Sequence, residues 1–488
     1  MFVRLLAGLF TTLLSPFVGA VEKLDIFSPF DVWYEVYLGE AKVGYAHLLM
    51  YQDGDRVKSE NEFVMQMSRA GQGIEVSVEQ ETLEKMNGQL IEFSTTINMA
   101  GIPVVKKGWV EGRSLVVYEK QIFTGKRNRY FFDSEAVMSW GLQRKLMEQG
   151  FMEAGKTYEI KVYSPDLGMK VPVLTKIVCY GRKEIKLGGQ KISAYEVDME
   201  MKSSFGSILT KSWFDPQGIG VQIKMEMGGM NILLVKVPEK KATTMEEEAH
   251  EILINSVIPL DKPLSLESEK NAFILETIRG EWKGQLFEGP HQIVEQRNNK
   301  SVQVMVFRDQ GVTSVKEEIE ANSFLEPNLY IDTSDLVIRR LAEKAKGNAA
   351  SPFEIAEELT FFVRNYITSK NFSVGFATAS EVARTRKGDC TEHSVLLAAL
   401  GRVLGIPSRV ATGIVFANHF EGMQNVLVYH MWTQFYLNGM WTNYDSALGH
   451  AGCPADRIVF SVSSLEEEKM VESMIQVMRL INNLKVRL

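Results

Sequence analysis

Gly388-Asp389-Cys390-Thr391-Glu392-His393 opens the stretch whose reading decides the fold, and Trp441-Thr442-Asn443-Tyr444-Asp445 closes it. Between them lie Gly405-Ile406-Pro407-Ser408-Arg409 and His430-Met431-Trp432. After Cys390 the apolar residues Val395, Leu396, Ala399, Leu400, Val403 and Leu404 fall on one helical face. Gly405 and Pro407 end that helix. Cys390 therefore sits at a helix N-terminus, where unpaired backbone N–H groups and the helix dipole favour a thiolate. Gly388 permits the sharp entry that turns the thiol outward.

Leu427 to Leu437 reads as a strand, and Asn438-Gly439 is a strong two-residue hairpin signal. With those two residues as the turn, Leu437 faces Met440, and counting back sets Trp432 opposite Asp445. His430 then shares a sheet face with Trp432 and lies diagonal to Asp445, a span of roughly 7–8 Å that long side chains cover. A carboxylate there can fix one tautomer of the imidazole while the other nitrogen faces a thiol, the orienter–base–nucleophile arrangement of covalent catalysis.

Taken together, Gly-Asp-Cys-x-Glu-His, a helix, Gly-Ile-Pro-x-Arg, His-x-Trp and a terminal Trp-x-x-x-Asp resemble the transglutaminase-like superfamily, relatives of the papain fold. The resemblance spans Asp332 to Ser461. It implies an α+β domain in which Cys390 is the nucleophile, His430 the general base and acid, and Asp445 the orienting carboxylate. Met431 and Gln434 depart from it, standing where the family more often has Ala and Glu.

The helices before Cys390 suit that architecture. Ser334 is placed to cap a helix through Leu336, Ile338, Leu341 and Ala345 that ends at Gly347. Ser351-Pro352 starts a second, with Ile355, Leu359, Phe362, Val363 and Tyr366 on its inner face. A short third helix is expected near Ser380 to Thr385. An oxyanion-hole partner for the Cys390 backbone N–H is sought between Lys370 and Phe376.

The rest of the 488-residue chain reads as roughly three domains at ~150 residues each. Residues 1–20 form a signal peptide: Arg4, the apolar run Leu5 to Leu14, and the small-residue site Val18-Gly19-Ala20. Other runs fall short of the roughly 18 apolar residues of a membrane helix. The expectation is an exported chain, periplasmic or secreted, with no transmembrane span after signal cleavage.

Residues 21–237 read as a β-rich domain. Ile74, Val76 and Val78 alternate with polar or small residues, and turns fall at Asp53-Gly54, Asn87-Gly88, Glu111-Gly112 and Gly188-Gly189. One helix interrupts near Ser134 to Glu148. Tyr37 to Tyr45 resembles the opening strand pair of β-rich modules that precede some bacterial transglutaminase-like domains. Residues 238–250 are a charged linker. Residues 251–325 return to strand pattern with Val302, Val304 and Val306 and make a small β module; 326–464 is the transglutaminase-like domain. Residues 465–488 form a C-terminal amphipathic helix or a strand.

A formal net charge of −7, and the lack of a Lys/Arg cluster interleaved with aromatics, argue against a nucleic-acid partner. The three cysteines do not build a disulfide scaffold: Cys179 and Cys453 either pair or remain buried thiols. A single C-x-x-H, Cys390 and His393, is thin support for a metal. No cofactor and no metal are expected. The sequence thus points to an exported thiol enzyme that forms an acyl-enzyme on amide bonds of a protein or peptide substrate, with cell-envelope components among the candidates. Hydrolysis and transfer to an amine both remain open. The alternative is a non-catalytic binding or assembly protein on the same fold.

Overall fold

The structure is a computed structural model. It describes residue 27 and residues 29–488, except 70–71, 100–101, 122–124, 151–152, 166–167, 204–205, 228–229, 246–249, 252–256, 283–284, 310–320, 370–375, 467–476, 478–479 and 481–482. The expected signal peptide, part of the expected linker, most of the Lys370–Phe376 segment and most of the C-terminal stretch expected to be amphipathic lie outside the described residues. The chain is β-rich and divides into two compact units, in the main residues up to 250 and residues 251–488.

In the first unit alternation dictates a single meander. The strands from Phe30–Leu38 to Met230–Val237 join one sheet in which each strand hydrogen-bonds to the next in sequence. The exception is the step from Gly125–Phe131 to Thr157–Ser164, the two strands at the ends of the sheet. The first strand pairs instead with the last, Tyr34 opposite Lys236 and Val36 opposite Leu234. Alternate residues such as Val32, Tyr34 and Val36, or Val76 and Val78, are buried, as a period of two requires. The turn glycines Gly54, Gly88, Gly112, Gly188 and Gly189 all hold positive φ. The helix expected near 134–148 forms at Ser139–Glu148. The N–H groups of Trp140 and Gly141 at its start donate to the buried Glu84, whose pKa burial pushes up to about 7.

The second unit holds helices and two sheets. Helix Leu336–Lys346 is capped by Asp335, which accepts from the Val337 N–H. Ser334 was the expected cap, but its hydroxyl donates to Asp332. Asp335 is the better acceptor and is also gripped by Arg384 at 2.7 Å. Ser351 and Glu354 form a capping box on Pro352–Tyr366, and Thr378 and Glu381 another on Ala379–Thr385. The first sheet is built on Ser408–Phe420, Met423–Leu437 and Met440–Asp445, with Arg457–Ser463 on the outer side of Ser408–Phe420. The second runs Gln292–Asn298, Ser301–Phe307, Lys270–Thr277 and the C-terminal strand Leu484–Arg487.

The two sheets share one core. Phe273, Leu275, Val302, Val304 and Val486 pack with Ile414, Leu427, Ile458 and Phe460. Side chains also stitch them together: the Gln292 amide donates to the Val459 carbonyl at 2.8 Å and accepts from the Val459 N–H at 2.7 Å. The residues expected to form a small β module packed on the enzyme domain thus share a core with the sheet that carries the site. Among the described residues no helix is long and apolar enough to cross a membrane.

Candidate active site

The thiol is placed by a helix whose start is over-determined. Asp389 is the N-cap of Cys390–Val403: its carboxylate accepts from the Thr391 N–H at 2.9 Å, while Glu392 accepts from the Asp389 N–H at 3.0 Å. Glu392 is fully buried and also accepts from the Ala377 N–H at 3.1 Å, tying the chain before the third helix to the start of the thiol helix. Burial, followed by the neighbouring Asp389, pushes the Glu392 carboxyl well above its usual range. Gly388 makes this possible, because at its φ of 148° a Cβ would lie 2.2 Å from the Cβ of Glu392. Cys390 itself is half-buried, and Cys179 and Cys453 are buried; none of the three forms a disulfide.

The imidazole arrives by hairpin register. Asn438 and Gly439 take φ of 49° and 86°, the left-handed pair a two-residue turn needs. Leu437 faces Met440, and the ladder runs on to Thr433 opposite Tyr444. That is the register counted from the sequence. The helix docks on this strand at two points: the Thr433 hydroxyl donates to the Ser394 carbonyl at 3.0 Å, and the Phe435 ring fills the space where a Gly401 Cβ would be. Opposite His430, Gly413 lets the neighbouring strand approach, since a Cβ there would meet the Ile458 carbonyl oxygen at 1.9 Å.

His430 Nε2 lies 2.8 Å from Asp445 Oδ2, both side chains buried. An ionised carboxylate only accepts, so Nε2 carries the hydrogen, while the Cys390 sulfur bears electrostatically on the same ring from the start of its helix. Burial, the largest influence on His430, works to lower its pKa. The Asp445 carboxylate and then the Cys390 sulfur outweigh it, and the pKa is raised to about 10. Asp445 moves the opposite way. Burial favours its protonated form, but His430 and Arg457 hold it well below the usual carboxylate range. Of the three residues singled out in the sequence, the structure joins His430 to Asp445 by a hydrogen bond and sets Cys390 at the first position of its helix.

Around them stand further groups, some of which sequence reasoning missed. Arg457 donates to Asp445 Oδ2 at 2.8 Å. Trp432 stacks beside His430, ring centres 6.2 Å apart, and its indole N–H donates to Asn443 at 2.7 Å. The Asn443 amide donates to Asp309, whose other oxygen accepts from the N–H groups of Asn443 and Cys453. His291 faces Asp309 at 3.1 Å. No local signal marks Asp309 or Arg457, because their partners are set by tertiary pairing. His393 is buried, with Nδ1 3.3 Å from the Ser446 hydroxyl. Arg409 donates to Gln434 at 2.7 Å and stacks 4.0 Å from the Trp441 ring centre. Among the described residues no set of three His, Cys, Asp or Glu side chains converges as a metal site.

No curated protein matches the chain. Among solved structures it is similar to a β-barrel-like protein of a domain of unknown function from Brucella abortus, at 13% identity and TM-score 0.34, covering 43% of this chain and 95% of that one. It is similar to a candidate cysteine protease from Cytophaga hutchinsonii, at 16% identity and TM-score 0.27, covering 40% of this chain and 76% of that one. It is also similar to a candidate protease from Parabacteroides distasonis, at 10% identity and TM-score 0.19, covering 71% of this chain and 64% of that one. The family model of the transglutaminase-like superfamily matches residues 339–446, a span that includes Cys390, His430 and Asp445. The chain carries a transglutaminase-like domain over residues 339–446.

Proposed function

We propose that this protein is an exported thiol enzyme that forms an acyl-enzyme on an amide bond of a protein or peptide substrate and passes the acyl group to water or to an amine. The observation that carries the reading is the buried 2.8 Å bond from His430 to Asp445 beside a half-buried cysteine at a helix start. The Cys390 thiolate attacks the amide carbon. The Cys390 backbone N–H, in the first turn of its helix, is one donor to the oxyanion that develops. His430 then gives its Nδ1 proton to the departing amine, leaving a thioester. In the second half His430 takes a proton from the incoming water or amine, the acceptor attacks the thioester, and Cys390 leaves as thiolate. Asp445 holds the ring in one tautomer throughout.

The triad serves hydrolysis and transfer alike, since the acceptor is selected by cleft shape and water exclusion. Residues 1–20 support the export part of the reading. A non-catalytic binding role would be favoured by a blocked cleft or by a triad too far apart to hydrogen-bond; the 2.8 Å bond from His430 to Asp445 supports the catalytic reading for that half of the triad.

The test is to incubate the full chain with glutamine-containing peptides, with and without a dansylated primary amine, and to trap adducts by acid quench and intact-mass spectrometry. A peptide-dependent thioester on Cys390, absent in Cys390→Ala, supports the reading. Product without amine assigns hydrolysis, and dansyl incorporation assigns transfer. An identical absence of adduct and product in parent and Cys390→Ala refutes it.

A further inference from the structure

Arg457 has a side chain only 2% exposed, and each edge of its guanidinium is engaged. Nη1 donates to Asp445 Oδ2 at 2.8 Å, the same oxygen that accepts from His430 Nε2 at 2.8 Å. Nε donates to Asp456 Oδ1 at 2.9 Å, and Nη2 donates to His450 Nδ1 at 3.1 Å. The planar group lies 5.2 Å from the centre of the Trp432 ring, the ring that stacks beside His430.

We propose that Arg457 is a positioning residue for the His430–Asp445 pair, fixing the rotation of the carboxylate and setting how tightly it holds the imidazolium. The proposal rests on the thiol-enzyme reading above. Geometry supplies the first half: Asp445 Oδ1 is fixed by the Leu448 N–H at 3.0 Å and Oδ2 by Arg457, so the carboxylate cannot turn away from His430. Charge supplies the second. Two donors share Oδ2, so the guanidinium drains the basicity the imidazolium would otherwise meet there. His430 keeps its proton against Asp445 yet can still release it to a leaving amine.

The charged and titratable groups around Arg457 are Asp445, Asp456, His450 and Cys453, with His430 beyond Asp445 and Asp309 within its field. Arg364 bears on His450 from the helix Pro352–Tyr366. A lysine supplies charge but not the fork that reaches two carboxylates and an imidazole at once.

The experiment measures iodoacetamide alkylation of Cys390 in the full chain from pH 5 to 11, resolved by site with mass spectrometry. The His430 imidazole is followed in parallel by NMR with ring-labelled histidine. Arg457→Lys keeps the charge; Arg457→Gln with Asp456→Asn removes the cation without stranding Asp456. The His430 and Arg457 nitrogens bond one oxygen at 2.8 Å each, so they lie no more than twice that apart. One charge at that range shifts a pKa by about two units, and losing Asp456 returns part of it. In the double variant the alkaline limb, loss of the imidazolium, moves up by about one pH unit. In Arg457→Lys it moves by less than about half a unit while the plateau rate falls about tenfold. Should the double variant fail to fold, the Arg457→Lys result decides. Normal parent behaviour with the limb and plateau unchanged in the variants overturns this proposal and leaves the enzyme reading intact. A parent in which Cys390 labels no faster than an ordinary thiol overturns both.

Discussion

The His430–Asp445 pair makes stability depend on pH in a way that can be worked out in advance. The His430 pKa is raised from 6.5 to about 10 in the folded chain, so folding is favoured by holding that proton. The stabilisation is fully present below about pH 6.5 and is lost as pH rises through about 10. A gap of about 3.5 units at ~1.4 kcal/mol each, allowing for coupling to the thiol, amounts to about 3–5 kcal/mol. Asp445 has the opposite sign. Its lowered pKa contributes stability above the unfolded value of about 3.8 that disappears only in strong acid. The assay is amide hydrogen exchange in the full chain, read on peptides covering Met423–Asp445 and corrected for intrinsic rates. Protection there should fall about 10²–10³-fold between pH 7 and 10.5 in the parent, and far less in His430→Gln. Cys390→Ser, which removes the sulfur's share, should lie between. Parallel profiles in parent and His430→Gln would refute the reasoning.

Three further outcomes follow from the same geometry. Gly388→Ala places a Cβ 2.2 Å from the Cβ of Glu392 and strains a φ of 148°, so it should cost about 2–4 kcal/mol in denaturant unfolding. Gly405→Ala, with open space at its site, should cost about 1 kcal/mol. Cys453 is 2% exposed, and burial pushes its thiol pKa up; Cys179 is 1% exposed. A thiol-reactive chromophore should therefore count one fast equivalent in the native chain and three after unfolding. Thr433→Val removes the hydrogen bond to the Ser394 carbonyl, with a loss of about 1 kcal/mol and slower alkylation of Cys390 as helix and strand lose register.

Much of this site was legible because it rests on local rules. Asn438-Gly439 sets the turn, the turn sets the ladder, and the ladder brings His430 toward Asp445. The apolar spacing after Cys390 announces the helix that presents it, and the structure adds the Asp389–Glu392 capping box at its start. Local rules stop where partners are distant. Gln292 pairs with Val459, 167 residues away, and Asp309 with Asn443, 134 away, so no periodicity marks either. Arg457 sits in an apolar strand run where its charge gives no hint of the buried carboxylates awaiting it. In the first unit the alternation revealed strands and turns, yet not that Phe30–Leu38 pairs with Met230–Val237, because meander order and closure are set by sheet geometry. The adjacent acceptors Ser334 and Asp335 show the limit at helix ends, where the ion pair to Arg384 decides between them.

The central claim is that Cys390 and His430 act as a thiolate–imidazolium pair. Its most direct test is the iodoacetamide alkylation rate of Cys390 at pH 6, more than two units under the ~8.5 of a free thiol, in the parent and in His430→Ala. The account predicts rapid labelling of Cys390 over Cys179 and Cys453 in the parent, slowed at least tenfold in His430→Ala. Equal and slow labelling of Cys390 in both proteins would contradict it.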